Sequence, residues 1–195
     1  MWLARIGGLF IIGGWIVLVA GILAGPFVGQ VVSGFLLTAA VPFVAVGAAL
    51  LAIVGGRPLQ GRGIRVGLAL LAVGLLLAWG SMMVAASLTY DPLESAPVII
   101  LLLVGAPVVA VGAIVTGISL LRGRGPVRVV GVLLVTGLLL LIAASILAGG
   151  GTASDPFLLV TRLLMVGGAA GFVLGATGIG ILALVGDRAE PAATS

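Results

Sequence analysis

The chain contains no cysteine, no histidine and no lysine, and these absences exclude several kinds of chemistry. Without cysteine there can be no disulfide, thiolate nucleophile or thiolate-bound metal. Histidine is the side chain that most often serves as a general acid or base and as a metal ligand. Without lysine, no Schiff base to a retinal or a carbonyl substrate can form. The composition therefore predicts a non-enzymatic protein with no resident metal or cofactor.

Charge is also scarce. Only 7% of the residues are charged and 62% are hydrophobic, whereas a soluble domain carries about 25% charged residues. A hydrocarbon core of about 30 Å needs roughly 20 apolar residues per helix. Lipid offers no partner for unpaired backbone groups, so each spanning segment is predicted to be helical. The sequence predicts an all-α, polytopic integral membrane protein with six transmembrane helices, at about 6–24, 31–55, 66–88, 97–121, 128–149 and 157–185.

Arginine placement predicts the orientation. All nine basic residues are arginine, and eight of them lie in alternate loops or at the termini: Arg5, Arg57, Arg62, Arg65, Arg122, Arg124, Arg128 and Arg188. The other three loops contain no arginine and carry Asp91, Glu94 and Asp155. Because arginine and lysine are retained on the cytoplasmic side, both termini are predicted to be cytoplasmic, in the plasma membrane of a prokaryote. The basic residues form no cluster interleaved with aromatics, so nucleic-acid binding is not expected.

A helical hairpin is predicted to occur three times, over about 1–57, 62–122 and 126–186 of a single transmembrane domain, before a short disordered cytoplasmic tail at 187–195. The first helix of each unit opens with arginine and has glycine nine residues later: Arg5 and Gly14, Arg65 and Gly74, Arg128 and Gly137. Each outer turn is expected to carry a proline, at Pro26, Pro92 and Pro156. In the second helices, VPFVAVGAAL at 41–50 aligns without gaps to APVVAVGAIV at 106–115. Gly171 is expected to replace that segment's proline in the third unit.

The mid-helix glycine, turn proline, later glycine and closing arginine form one pattern, present as Gly14, Pro26, Gly47 and Arg57 and again as Gly74, Pro92, Gly112 and Arg122. In this pattern and its six-helix architecture the chain resembles the HdeD-like small membrane proteins. The resemblance implies a membrane-resident stress-related or accessory role without known catalysis. It assigns no functional residue.

Glycine is abundant, with 33 residues, and in a membrane it allows helices to approach closely. The four-residue spacing of Gly167, Gly171 and Gly175 predicts a packing ridge on the last helix, facing another span or another copy of the chain. Pro42 and Pro107 lie inside the second and fourth spans, where each removes a backbone hydrogen bond and is expected to kink its helix.

Arg162 is the one charge predicted to lie inside a span, and an intramembrane charge suggests function. Its side chain could extend to the outer headgroups or pair with Asp155, seven residues earlier. It could also bind an anionic headgroup or substrate. Asp91, Glu94 and Asp155 could meet as a weak calcium site, although solvated loop charges are the simpler interpretation. Trp15 lies mid-span and is expected to pack rather than anchor.

These features predict a structural, accessory or stress-related membrane protein that acts through helix or lipid contacts. Its expected partners are membrane lipid, another membrane protein or further copies of itself. The alternative is a small transporter, or a transporter subunit, for a neutral or apolar solute. In size and small-residue helix faces the chain is similar to the substrate-binding subunits of energy-coupling-factor vitamin transporters, but it lacks the polar residues that a vitamin pocket needs.

Overall fold

The computed structural model describes residues 2–28, 30–55, 59–87, 96–149 and 155–186, leaving out the side chains of 24–28, 30–35, 37, 82, 85–87, 96–102, 149 and 155–157. Six α-helices make up nearly all of this part of the chain. They are α1 (Trp2–Val28), α2 (Gln30–Val54), α3 (Arg62–Ser87), α4 (Ala96–Leu121), α5 (Pro126–Gly149) and α6 (Asp155–Val185).

Five of these helices are long and apolar enough to cross a membrane: Trp2–Leu23, Arg62–Ser81, Leu103–Leu121, Pro126–Ala148 and Leu158–Val185. The sixth, α2, contributes a shorter described apolar segment, Thr38–Val54. Large apolar side chains are exposed on all six, for example Ile16, Phe43, Val73, Leu103, Leu139 and Leu163. Exposed apolar surface on every helix suits a hydrocarbon solvent and not water, which indicates a multi-pass membrane protein.

The predicted spans overlap these helices, but the outer-turn predictions for Pro26 and Pro156 were wrong, since both lie inside helices. Pro26 was expected in the outer turn after the first span, and it lies in the last turn of α1, which continues to Val28. Proline disturbs a helix mainly through the hydrogen bond that it cannot donate. At Pro26 the missing bond is the one to the carbonyl of Ile22, and the helix nevertheless continues for two more residues. Pro156 is the second residue of α6, in the first turn, where a proline removes no bond of the helix. The predicted turn residues Pro92 and the loop acids Asp91 and Glu94 lie outside the described residues.

The helices form a closed ring. Each helix packs against the next one along the chain, and α6 packs back against α1. The most extensive contacts join α1 to α2, α3 to α4 and α5 to α6. Gly7 lies against Gly47, and Gly14 lies against Ala40, so α1 and α2 run antiparallel.

Glycine makes the closest helix contacts possible. A Cβ atom on Gly74 would lie 2.5 Å from the backbone nitrogen of Val109, and one on Gly112 would lie 2.5 Å from that of Leu71. No side chain fits at such a distance from a backbone atom, so α3 and α4 touch main chain to main chain. Corresponding glycines make the same contacts in the other two pairs: Gly14 and Gly47 between α1 and α2, Gly137 and Gly175 between α5 and α6.

The ring has a filled apolar interior. Its buried side chains include Ile11, Leu71 and Leu134, which occupy matching positions in α1, α3 and α5. Leu59, in the connection between α2 and α3, is 0% exposed and closes the interior at the arginine-bearing end. Just before it, Gly55 ends α2 with a φ of 54° and donates its N–H to the carbonyl of Leu51 at 2.9 Å. A left-handed glycine is the common way to end a helix.

Candidate functional site

Arg162 lies on the outward face of α6. Its side chain is exposed, and with Leu158, Leu159 and Leu163 it lines a shallow surface cavity of about 390 Å³. Those three leucines are themselves exposed or half-buried large apolar residues rather than core residues. The guanidinium is therefore presented to the surroundings of the bundle and not to its interior.

The packing of α6 on α5 gives the depth of Arg162. Gly175 contacts Leu134 and Gly178 contacts Val130, which puts Arg128 at about the level of Gly180. From Gly180 to Arg162 the helix rises about 27 Å at 1.5 Å per residue. This distance is close to one hydrocarbon thickness of about 30 Å. Arg128 and Arg162 therefore lie about one hydrocarbon thickness apart along the bundle, with Arg162 near one end of the apolar segment Leu158–Val185.

Asp155, the predicted ion-pair partner of Arg162, is the first residue of α6. It lies two turns, about 10 Å, before Arg162 along the axis, and its side chain is outside the described residues. The pair stays a prediction. Asp91 and Glu94, which with Asp155 could form a weak calcium site, also lie outside the described residues, as does Tyr90 beside them. Among the residues that the structure does describe, no group of acidic side chains is placed to hold a metal ion.

The predicted glycine ridge on α6 needs one correction. Gly171 and Gly175 do pack against α5: a Cβ on Gly171 would lie 3.1 Å from Gly137 Cα, and one on Gly175 would lie 2.7 Å from Leu134 N. Gly167 does not, because it is exposed and its nearest neighbour would be Leu140 at 4.0 Å. Gly168 takes its place, 2.8 Å from Leu141 N. A ridge spaced by three and four residues follows one helix face, whereas repeated steps of four rotate off it.

The same contacts correct the register of the third unit. Gly175 contacts α5 in the way that Gly112 contacts α3, so these two glycines are equivalent. Pro107 lies five residues before Gly112, and the residue five before Gly175 is Ala170, not Gly171. Pro42 and Pro107 both lie inside their helices, α2 and α4. Neither can donate to the carbonyl four residues before it, which is the basis for the predicted kinks.

Polar groups in the described interior are few, and two of the three bond to their own helix. The buried polar residues are Ser81, Thr116 and Thr161. Ser81 Oγ donates to the carbonyl of Ala78 at 2.7 Å, and Thr116 Oγ1 donates to that of Gly112 at 2.8 Å. The exposed Ser145 does the same to Leu141. A hydroxyl bonded back to its own helix has used its one proton, so it cannot also donate to a solute.

Two apolar cavities lie between α1 and α6, and no residue pattern predicted them directly. One, of about 380 Å³, is lined by residues of α1 and α6, and the other, of about 570 Å³, also reaches Leu141 of α5. They share Trp15, Val19 and Val173. The Trp15 ring meets that of Phe172 edge to face, with ring centres 6.0 Å apart, which confirms the packing role predicted for Trp15. The repeat contained one indication of this site, because leucine occupies the two positions equivalent to Trp15 and the tryptophan departs from that pattern.

A comparison of the chain with protein-family models, curated proteins and solved structures finds no match. The HdeD-like resemblance therefore stays a prediction, and the function has to be argued from the geometry alone.

Proposed function

We propose that all six helices cross the prokaryotic plasma membrane as three antiparallel hairpins descended from one repeated unit, with both termini in the cytoplasm. Support for the repeat comes from contact equivalence: Gly14, Gly74 and Gly137 each meet the backbone of the following helix nine residues after an arginine. Chance similarity between apolar sequences would not reproduce the same main-chain contacts. Support for the orientation comes from the eight arginines that share one side.

Within that architecture the protein is a non-enzymatic membrane component, accessory or stress-related, that works through its lipid-facing and helix-packing surfaces. The observation that carries this proposal is the interior of the described bundle, which is filled with aliphatic side chains and has hydroxyls already bonded to their own helices. Such an interior offers no polar path for a solute and no activated nucleophile. The chemistry left to the protein is on its outside, where Arg162 is presented at the outer headgroup level.

Arg162 is the residue most suited to lipid recognition. A guanidinium matches a phosphate or carboxylate through parallel hydrogen bonds. Its leucine neighbours fit the first carbons of acyl chains. The role of Arg162 is therefore to bind an anionic lipid headgroup, with Asp155 as the alternative partner in the absence of lipid.

The second candidate function is transport of a neutral or apolar solute, and the cavities between α1 and α6 favour it. Their walls are apolar, so any cargo would be hydrophobic. However, they lie on the outer side of a packed interior rather than passing through it. A carrier would have to open the ring, and the main-chain contacts between Gly8 and Gly180 hold it closed.

Reconstitution separates the two functions. The purified chain is placed in liposomes loaded with a panel of neutral and apolar solutes, and release is compared with protein-free vesicles and with an Arg162→Gln variant. Release equal to that of protein-free vesicles, together with lipid retained on the protein in native mass spectrometry, supports the scaffold. Saturable release of one solute would replace it with the transport function.

A further inference from the structure

The contact between α1 and α6 differs from the two other contacts that join one helix pair to the next. Trp15 of α1 and Phe172 of α6 meet there, edge to face. The equivalent positions elsewhere carry smaller aliphatic side chains, Leu75 and Leu138 for Trp15, Val44 and Val109 for Phe172. The two largest side chains of these sets thus lie together where the ring closes, and two cavities lie beside them.

The resulting space is long and apolar. The cavities on either side of Trp15 run along α1 from Ile12 to Leu23 and along α6 from Ala169 to Thr177. Their volumes, about 380 and 570 Å³, lie within the range of small-molecule sites. Because Trp15 Nε1 is buried, the indole presents hydrocarbon to the cavity. The exposed Ile22 and Leu174 open the space to the lipid side.

Depth and direction fit one leaflet of a bilayer. Trp15 lies ten residues, or about 15 Å, from Arg5, which is half of a hydrocarbon thickness of about 30 Å. The cavities extend from there toward the outer end of α1. On α6, Arg162 precedes Ala169 by seven residues, so it lies two turns further out on the same helix face. A single stripe of α6 therefore carries a cation at headgroup depth and an apolar cavity below it.

The combination of a cation at headgroup depth and an apolar cavity below it indicates which kind of molecule the site binds. A helix about 10 Å across is too wide for the cavities, so a second copy of the chain would not fill them. A soluble ligand would find little to bond in the described walls, where Thr177 is the one hydroxyl and the unpartnered Trp15 Nε1 is buried. A hydrocarbon chain fits them, and a phosphate attached to that chain would lie at the height of Arg162, where a guanidinium binds it well.

We propose that the α1–α6 cleft and Arg162 form one binding site for an anionic phospholipid of the outer leaflet, with an acyl chain against Trp15 and the phosphate at Arg162. This inference rests on the lipid-contact role proposed above and names its ligand and its place. The lipid then completes the wall of the bundle at the point where the repeat is broken.

The indole of Trp15 can report the bound chain directly. Trp2→Phe and Trp79→Phe leave Trp15 as the sole tryptophan, and the protein is reconstituted in phosphatidylcholine with increasing phosphatidylglycerol brominated at mid-chain carbons. Bromine quenches indole fluorescence on contact. We expect several-fold more quenching than a random distribution of the brominated lipid around the protein would give, because the site concentrates phosphatidylglycerol. In the reciprocal experiment, brominated phosphatidylcholine is mixed with unlabelled phosphatidylglycerol. Quenching should then be weaker than a random distribution of the brominated lipid would give.

Matched variants test the two parts of the site, Arg162 and the α1–α6 cleft, separately. Arg162→Gln should abolish the preference for phosphatidylglycerol, whereas Arg124→Gln, an exposed arginine at the other end of the bundle, should keep it. Ala169→Leu narrows the cleft and should reduce quenching. Its repeat equivalent Ala106→Leu, on the exposed face of α4, should leave quenching unchanged.

Quenching that follows the bulk mole fraction in every variant, or an equal excess with both brominated lipids, would overturn the proposal. If the double tryptophan variant does not fold, native mass spectrometry of the unaltered chain and of Arg162→Gln decides instead, by the number of phosphatidylglycerol molecules retained. Solute release from liposomes would refute the scaffold function and leave these lipid readouts unaffected, so the two proposals fail separately.

Discussion

At the residue scale, two adjacent glycines of α6 have opposite surroundings. A Cβ on Gly168 would lie 2.8 Å from the backbone nitrogen of Leu141, while Gly167 is exposed with no atom closer than 4.0 Å. Both are small, both lie in the same helical turn, and both belong to the sequence Met165-Val166-Gly167-Gly168. The difference between them is therefore purely one of helix face.

Substituting each glycine with isoleucine tests that assignment. Gly168→Ile should destabilise the protein by about 1–3 kcal/mol or more, since α5 and α6 must separate to admit the side chain. Gly167→Ile should change the free energy of unfolding by no more than about 0.5 kcal/mol. Thermal unfolding in one detergent gives both values. Equal destabilisation by the two variants would contradict the packing of α6 on α5.

We expect Gly171→Ile to destabilise the protein as Gly168→Ile does, because Gly171 also packs closely on α5, against Gly137 Cα. It should lower the unfolding temperature without changing the mass of the particle in size-exclusion chromatography. A smaller particle with unchanged stability would instead place Gly171 between copies of the chain.

The residue scale is also where prediction from sequence was weakest. Composition identified glycine as the packing residue, but it could not choose between Gly167 and Gly168, because neighbouring positions on an apolar helix have the same chemistry. Arg162 was recognised as unusual, yet its depth depended on how α5 and α6 pair. Trp15 was expected to pack, while its partner Phe172 and the cavities beside it depend on contacts across the whole chain.

At the scale of elements, the helices themselves were predictable. Long apolar runs bounded by arginine or by polar turns give the positions of α1 to α6 within a few residues. The helix ends were less certain, as Pro26 illustrates. The reason is that hydrophobicity fixes which residues must be in lipid, whereas a helix can continue beyond the lipid into the interface. At 31 residues, α6 is about 46 Å long and exceeds the hydrocarbon thickness in this way.

The depth of α6 can be measured in a chain that has no native cysteine. Single cysteines replace the exposed residues Leu158, Leu174 and Ile181, and intact cells are treated with a membrane-impermeant maleimide. Leu158→Cys should react from outside, because it lies one turn beyond Arg162. Leu174→Cys should not react, because it lies in hydrocarbon.

Ile181→Cys, at the level of Arg128, is the inner control, and it should react only after the cells are opened. Labelling of Ile181→Cys in intact cells would reverse the proposed orientation. Strong labelling of Leu174→Cys would contradict the depth assigned to Arg162 and indicate a water-filled space beside α6.

At the scale of the whole molecule, the main unpredicted feature is the closed ring. The hairpins could be proposed from repeated residues, but the packing of α6 on α1 depends on the angle at which successive helix pairs meet. No local pattern encodes that angle. The structure fixes it through Gly8, whose Cβ would lie 2.6 Å from the Gly180 carbonyl oxygen, and through Gly180, whose Cβ would lie 2.8 Å from Ile12 Cγ1.

A designed disulfide tests the closure. A Cβ on Gly8 would lie 3.2 Å from Ala183 Cβ, near the 3.5–4.5 Å that a disulfide requires. The new Cβ would also lie 2.6 Å from the Gly180 carbonyl oxygen, so α1 and α6 must first move apart, which also lengthens the distance to Ala183 Cβ toward that range. After that shift, the Gly8→Cys/Ala183→Cys variant should cross-link within one chain under mild oxidation. Proteolysis in a loop would then leave the two fragments joined.

The control is Gly13→Cys/Ala183→Cys, because Gly13 has no neighbour within 4 Å of a Cβ and should give no intramolecular cross-link. A disulfide-linked dimer from Gly8→Cys/Ala183→Cys would mean that α1 of one chain packs on α6 of another. In that case the ring would be a property of an assembly and not of the single chain.

Closure of the ring also determines the order in which the helix contacts can form during synthesis of the chain. Every contact between successive helices can form as soon as the second helix of the pair has left the ribosome. The contact of α1 with α6 must wait until all the helices from α1 to α6 have been synthesised. Until then, the face of α1 that carries Gly8 and Ile12 has only lipid beside it. The insertion machinery is therefore expected to handle an open bundle of α1 to α5, which closes into a ring only when α6 arrives.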